Sequence, residues 1–276
     1  MTGTAFPAAR ILLVERPGPW GRAGLPQSRV DPELVRDLEK RCNRAGVRII
    51  AIRRPGRTPP GAARRWAYVD TRDGRQTVRW GQYDDIAELG SVPLDGTAGE
   101  PDDAELYLVC THGKHDPCCA LRGRPVAAAL ARERPGQVWE CSHIGGERFA
   151  ANVLLLPSGL VYGRVLPFAA PEFIAAHEAG EVLGALLRGR VGLPPVAQAA
   201  LAYGYELLAV RHRDALRVVH SGPVEDGRAR IELAGPHGRL RVTVRVERVR
   251  ASGLTCANER ENVFLTYHPE RIEPVD

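Results

Sequence analysis

The sequence predicts an α/β protein: a layered central sheet covered by helices, preceded by an N-terminal α/β segment and followed by a β-rich C-terminal extension. Three observations predict it. Short apolar runs such as Leu106 to Val109 alternate with helical segments opened by proline. A strand pair flanks Pro157-Ser158-Gly159, as in a hairpin. Past Tyr205 the pattern turns to polar and apolar alternation, the mark of half-buried strands. The chain has 276 residues, 44% of them apolar, enough for a buried core and for more than one unit. The expected units are 1–100, 101–205 and 206–276.

From the N-terminus, Ala9 to Val14 reads as a strand. Pro32 to Ala45 reads as a helix: Asp31 caps its free N–H groups, Pro32 suits the first helical position, and Glu33 favours the positive end of the dipole. Gly46 stops it before the strand Val47 to Ile52. Cys42, late in that helix, reads as a core thiol. Pro55 to Gly61 is a Pro/Gly-rich connection. Trp66 to Val69 and Gln76 to Trp80 form a hairpin turning at Asp73-Gly74, and Gly96 to Asp103 marks the boundary of the first unit.

Next come the strand Leu106 to Val109, a helix Pro125 to Arg134, the strand Val138 to Ser142, the hairpin of Val153 to Leu156 with Leu160 to Val165, and a closing helix Pro171 to Arg188. Strand, helix, strand, hairpin, helix is the order of a thioredoxin-like layer. The tail offers the strands Arg217 to His220, Ala229 to Leu233 and Leu240 to Val246. In the last, Arg241 and Arg245 face away from Leu240, Val242, Val244 and Val246. Cys256, alone in the tail, reads as a plain thiol.

The formal charge of +5 comes almost wholly from arginine, scattered among acids such as Asp31, Glu33, Asp37 and Glu39. A mixed, solvated surface is favoured over a nucleic-acid surface. No apolar run is long enough for a membrane span, and Pro17 and Pro19 interrupt the start before a signal-like region develops. A cytoplasmic location is expected. Four of the six cysteines, Cys110, Cys118, Cys119 and Cys141, fall within about thirty residues of one another, which in a reducing compartment points to a metal or redox site and not to a disulfide scaffold.

The run Cys110-Thr-His-Gly-Lys-His-Asp-Pro-Cys-Cys119 leaves an apolar strand for a polar loop ahead of a helix. Helix-start N–H groups, Lys114 and Arg122 favour anionic sulfur there. In the second run, Trp139-Glu-Cys-Ser-His-Ile-Gly-Gly-Glu147, alternation places Cys141 and His143 on one face, and Gly145-Gly146 lets the chain bring Glu147 back toward His143. Residue by residue there are plainer readings: Cys118 or Cys119 as a buried thiol, His112 and His115 as loop solvation, Gly145-Gly146 as a turn. Soft ligands at two neighbouring strand ends favour a metal or redox-thiol site.

CTHGKHDPCC followed by CSHIGGERFAANVLLLPSGLVYGRV resembles the sucrase/ferredoxin-like family, whose redox domain is similar to thioredoxin-like 2Fe-2S ferredoxins. The likeness extends to GPWG at Trp20 and to LLRGRVGLPPVAQAA from Leu186. It implies a 2Fe-2S cluster, a one-electron carrier with an unnamed redox partner protein, and Cys110, Cys119 and His143 as ligands. The family's second histidine falls on Glu147, so the fourth ligand is Glu147 or the neighbouring Cys141. A carboxylate is a harder ligand than histidine or thiolate. The competing expectations are a cysteine-based thiol redox protein, a zinc site and a cofactor-free binding module. Nothing singles out the carboxylate pair that glycoside hydrolysis needs.

Overall fold

In the computed structural model, residues 1–56, 63–236, 238–256 and 259–275 are described; most of the Pro55 to Gly61 connection lies outside them. The first layer is built from β1 (Arg10–Glu15), α1 (Pro32–Arg44), β2 (Val47–Arg53), β3 (Arg64–Asp70), β4 (Thr77–Tyr83) and the short β5 (Glu100–Pro101). Asp31 accepts a hydrogen bond from the Glu33 N–H at 2.8 Å, so the helix start rests on the expected cap. Gly46, with φ of 63°, takes the left-handed conformation that releases the chain into β2. Cys42 is buried against Leu12 and Val35, and burial pushes its thiol up to about 11.

The second stretch runs through β6 (Leu106–Cys110), α2 (Pro117–Glu133), β7 (Val138–Cys141), β8 (Val153–Leu156), β9 (Leu160–Tyr162), α3 (Ala170–Glu178), β10 (Leu187–Arg190) and α4 (Pro195–Leu207). Four strands lie in the order β9, β8, β6, β7. β6 and β7 are parallel and β8 and β9 antiparallel to their neighbours. This is the expected thioredoxin-like layer.

Two helices differ from expectation. α2 begins at Pro117, not Pro125, because Asp116 caps the Cys118 N–H at 2.8 Å and Pro117 fills the first helical position; Pro125 is carried inside the helix. The closing helix ends at Glu178, since Gly180 (φ 72°) breaks it, and Arg188 lies on a strand. α4 went unread.

β2 pairs with β7 through Ile52 with Cys141 and Arg53 with Glu140, and so joins the first stretch to the second in one ten-stranded sheet. That sheet runs without interruption past residue 100. The tail is a separate antiparallel sheet of β11 (Arg217–Ser221), β12 (Arg228–Gly235), β13 (Gly238–Ala251) and β14 (Asn262–Val275). Ala229, Ile231, Leu233, Val242 and Val244 bury its inner face against α4 and the large sheet's core. Its outer face carries ion pairs such as Arg241 with Glu232 at 3.0 Å.

Cys256, expected as a plain thiol, forms a disulfide with Cys118, with Cα atoms 6.0 Å apart. The β13–β14 loop reaches the first turn of α2, a contact between residues 138 apart that sequence spacing does not reveal.

Candidate metal centre

Parallel pairing of β6 and β7 sets Cys110 opposite Cys141 at the carboxyl ends of both strands, the edge at which open α/β sheets bind ligands. Cys119 enters from the first turn of α2. The helix can approach this closely because residue 123 is glycine: a Cβ there would lie 2.1 Å from the Cys110 carbonyl oxygen. After β7 the chain leaves the sheet at His143 and turns through Gly145 and Gly146, with φ of 81° and 72°. A Cβ on Gly146 would lie 2.4 Å from the Arg188 guanidinium, so glycine is what lets that arginine pack against the turn.

Ligand atoms of Cys110, Cys119 and His143 all lie within 4.8 Å of one another. Cys119 Sγ is 3.9 Å from His143 Nδ1, and on the far side of the ring His143 Nε2 is 3.4 Å from Glu147 Oε2. His115 stacks on His143 with ring centroids 3.6 Å apart, which adds His115 to a second group with His143 and Glu147. Cys141 lies buried in the same apolar cluster as Cys110 and Cys119 but outside both ligand groups.

A hydrogen bond from Cys119 holds the Cys110 thiol well below the usual thiol range; its burial opposes that shift, and His143 reinforces it. The same bond, with burial, pushes Cys119 up. Burial works against a charged His143, but Cys110 and Glu147 outweigh it and lift the imidazole to about 9. The His143 contact brings Glu147 down to about 2. Cys110, His143 and Glu147 thus favour one another's charged forms. Cys141 is raised, first by burial and then by the Cys110 charge.

Supports of this site escaped the sequence reading. His112, read as loop solvation, is 3% exposed: its Nε2–H donates to the Gly21 carbonyl at 2.7 Å, and its Nδ1 accepts the His143 N–H at 3.1 Å. Trp20 of the GPWG run lies edge-on against it, so that short motif was the available signal. Arg188 donates to the Gly145 carbonyl and Asn152 Oδ1, both at 2.9 Å, and Asn152 donates to the Gly146 carbonyl at 2.8 Å. Together they fix the turn between His143 and Glu147.

Fold and site define a layered α/β protein with a buried two-cysteine, one-histidine cluster at a strand edge. The sucrase/ferredoxin-like family model matches residues 1–189, and the chain belongs to that family. Among solved structures it is similar to a thioredoxin-like [2Fe-2S] ferredoxin from Aquifex aeolicus, at 22% identity over 33% of this chain and 94% of the other, with a TM-score of 0.29. No curated protein matches the chain. Among the described residues no helix is long and apolar enough to cross a membrane.

Proposed function

We propose that the chain is a one-electron carrier that holds a 2Fe-2S cluster with Cys110, Cys119, His143 and Glu147. The observation that supports it is the convergence of two thiols and an imidazole within 4.8 Å. The donor chemistry fits: thiolates are the usual ligands of such clusters, and a cysteine already drawn toward thiolate binds iron with less proton release. The cluster would supply a one-electron couple, and an imidazole in place of a thiolate raises its potential. Glu147 is the favoured fourth ligand because it holds the family's position and shares a ligand group with His143, whereas Cys141 is in neither group; Glu147 must swing past the imidazole to join Cys110 and Cys119.

The chain's own residues protect and orient the site. Cys110 and Cys119 are wholly buried, which keeps water from the sulfurs. His143 and Glu147 retain side-chain exposures of 18% and 29%, and so form the edge where a redox partner protein would exchange the electron. His112 and Arg188 fix the two ends of the loop that carries them. The test is an iron and acid-labile sulfide assay with visible absorption and electron paramagnetic resonance on anaerobically prepared protein. Stoichiometric iron and sulfide are expected; one zinc and no sulfide, or a colourless protein after reconstitution with iron and sulfide, would overturn the reading.

One observation favours a second reading. The contact between Cys119 and the low-lying Cys110 thiol, with His143 and Glu147 behind it, suits dithiol chemistry in which a supplied two-electron oxidant accepts the electrons as the two sulfurs join in a disulfide and Cys119 gives up its proton. Loss of two titratable thiols on treatment with an oxidant, in metal-free protein, would distinguish it.

A further inference from the structure

The loop that places Glu147 continues into Arg148 and Phe149, which wall a cavity of about 540 Å³. The opposite wall comes from the tail: Leu254, Phe264 and Tyr267. Its volume lies within the range of small-molecule sites. The lining combines three aromatic rings with Arg148, Arg164 and His268, and contains no aspartate or glutamate.

The two arginines are held as anion receptors are held. The Arg148 guanidinium carbon is 4.5 Å from the Phe149 centroid and 4.9 Å from that of Phe264, so the cation lies against two rings. Arg164 approaches the same Phe149 ring at 5.8 Å. Stacking occupies the face of a guanidinium and leaves its in-plane N–H donors free. Among the described residues neither side chain makes a hydrogen bond or an ion pair. Glu147, the neighbouring carboxylate, is engaged with His143 at 3.4 Å. A third guanidinium, Arg188, lies 5.6 Å from the Phe149 ring, but its donors are taken by Thr4, Gly145 and Asn152. Glu147 acts on Arg148 and Arg188 from outside the cavity's lining, so cations crowded around one ring with no acid on the cavity wall are stabilised by an added anion.

We propose that this cavity binds a small phosphate monoester carried on a planar aromatic body. Two guanidiniums match a doubly charged head group, and each offers a fork of donors suited to phosphate. Phe264, Tyr267 and Leu254 receive the flat apolar part. The site is assembled from the sheet that carries the cysteines and from the tail, which gives the tail a role in ligand recognition.

The test is calorimetric titration of the full chain with phenyl phosphate, inorganic phosphate and phenol in separate arms. It needs no knowledge of what Cys110 and Cys119 hold, so its outcome is independent of the cluster reading. Phenyl phosphate is expected to saturate and to bind at least tenfold more tightly than inorganic phosphate, while phenol shows no saturation. Arg164→Gln, at an exposed position, and Arg148→Gln should each weaken phenyl phosphate at least tenfold, and Phe264→Ala should abolish its advantage over inorganic phosphate. Thermal melts identify variants that fail to fold, and Arg164→Gln alone then decides. Absence of saturable binding to the wild-type chain, equal affinity for the two phosphates, or unchanged affinity in a folded Arg164→Gln variant would overturn the proposal.

Discussion

Arg188 and Arg241 are strand arginines in the two sheets, and they have opposite surroundings. Arg188 in β10 is wholly buried, makes no ion pair among the described residues, and donates to Thr4, Gly145 and Asn152; burial brings its guanidinium down to about 10. Arg241 in β13 lies on the outer face of the tail, 3.0 Å from Glu232, with 36% of its side chain exposed. The large sheet is covered on both faces and can hold a costly polar group in place because packing fixes every partner. The tail sheet buries one face and leaves the other to water, where charge adds little. Precise positioning of polar side chains therefore belongs to the large sheet, and the tail contributes area and a wall.

The largest expected effects test that division at two adjacent residues, Cys119 facing the large sheet and Cys118 tied to the tail. Cys110→Ser and Cys119→Ser should each abolish iron and sulfide binding, whereas Cys118→Ser should leave both near wild-type levels. Glu147→Ala should give a labile cluster, Glu147→His a stable one, and Cys141→Ser little change; silence of Glu147→Ala with loss in Cys141→Ser would place the fourth ligand on the strand. In stability the order reverses. Removing the Cys118–Cys256 link by Cys256→Ser frees a loop spanning 138 residues. Chain entropy puts the cost at about 5 kcal/mol, to be read from denaturant melts with and without a reducing dithiol; identical melts for the variant and the oxidised wild-type chain would contradict it.

Sequence reached the large sheet further than the tail, and the site further than its supports. The Asp31-Pro32 cap, the Gly46 stop and the apolar run ending at Cys110 are local signals, and the structure keeps them. Asp116-Pro117 is the same kind of signal as Asp31-Pro32, but Pro125 drew the helix start eight residues late. α4 has a local signal of that kind too, Pro195 ahead of an Ala/Leu-rich run, whereas β14, the Cys118–Cys256 link and the role of Arg188 depend on contacts between distant segments, which periodicity does not encode. His112 reads as a loop histidine until Gly21 and His143 are brought to its two nitrogens.

Inside the large sheet, Arg188→Met should cost about 3 kcal/mol, because four acceptor contacts are abandoned in a dry site while the burial penalty of the charge is recovered. Metal content should fall with it, since the Gly145-Gly146 turn loses its anchor. His177 provides a pH effect of similar size. Its Nδ1–H donates to the Phe173 carbonyl at 2.8 Å, it is 1% exposed, and burial brings it down to about 4. The unfolded chain takes up that proton first as pH falls below the ordinary histidine value. Stability should therefore be unaffected above about pH 6.5 and decline by about 3 kcal/mol toward pH 4, levelling off below. Urea melts of wild type and His177→Phe across this range should show a steeper acid loss in the wild type; parallel profiles would mean that His177 is charged in the fold.

The smallest effect belongs to the tail's outer face. Arg241 and Glu232 are cross-strand partners in β12 and β13 and their charges meet at 3.0 Å, an arrangement that looks stabilising. Water competes for both groups, and two long side chains lose freedom in making the contact. A double-mutant cycle of Arg241→Ala and Glu232→Ala should return a coupling of about 0.5 kcal/mol, shrinking in 1 M salt. A coupling above about 2 kcal/mol would be of the size found for desolvated charge pairs. It would show that the outer face is covered in the working protein, and the contrast with Arg188 would then reflect different partners and not a difference between a buried sheet and a solvated one.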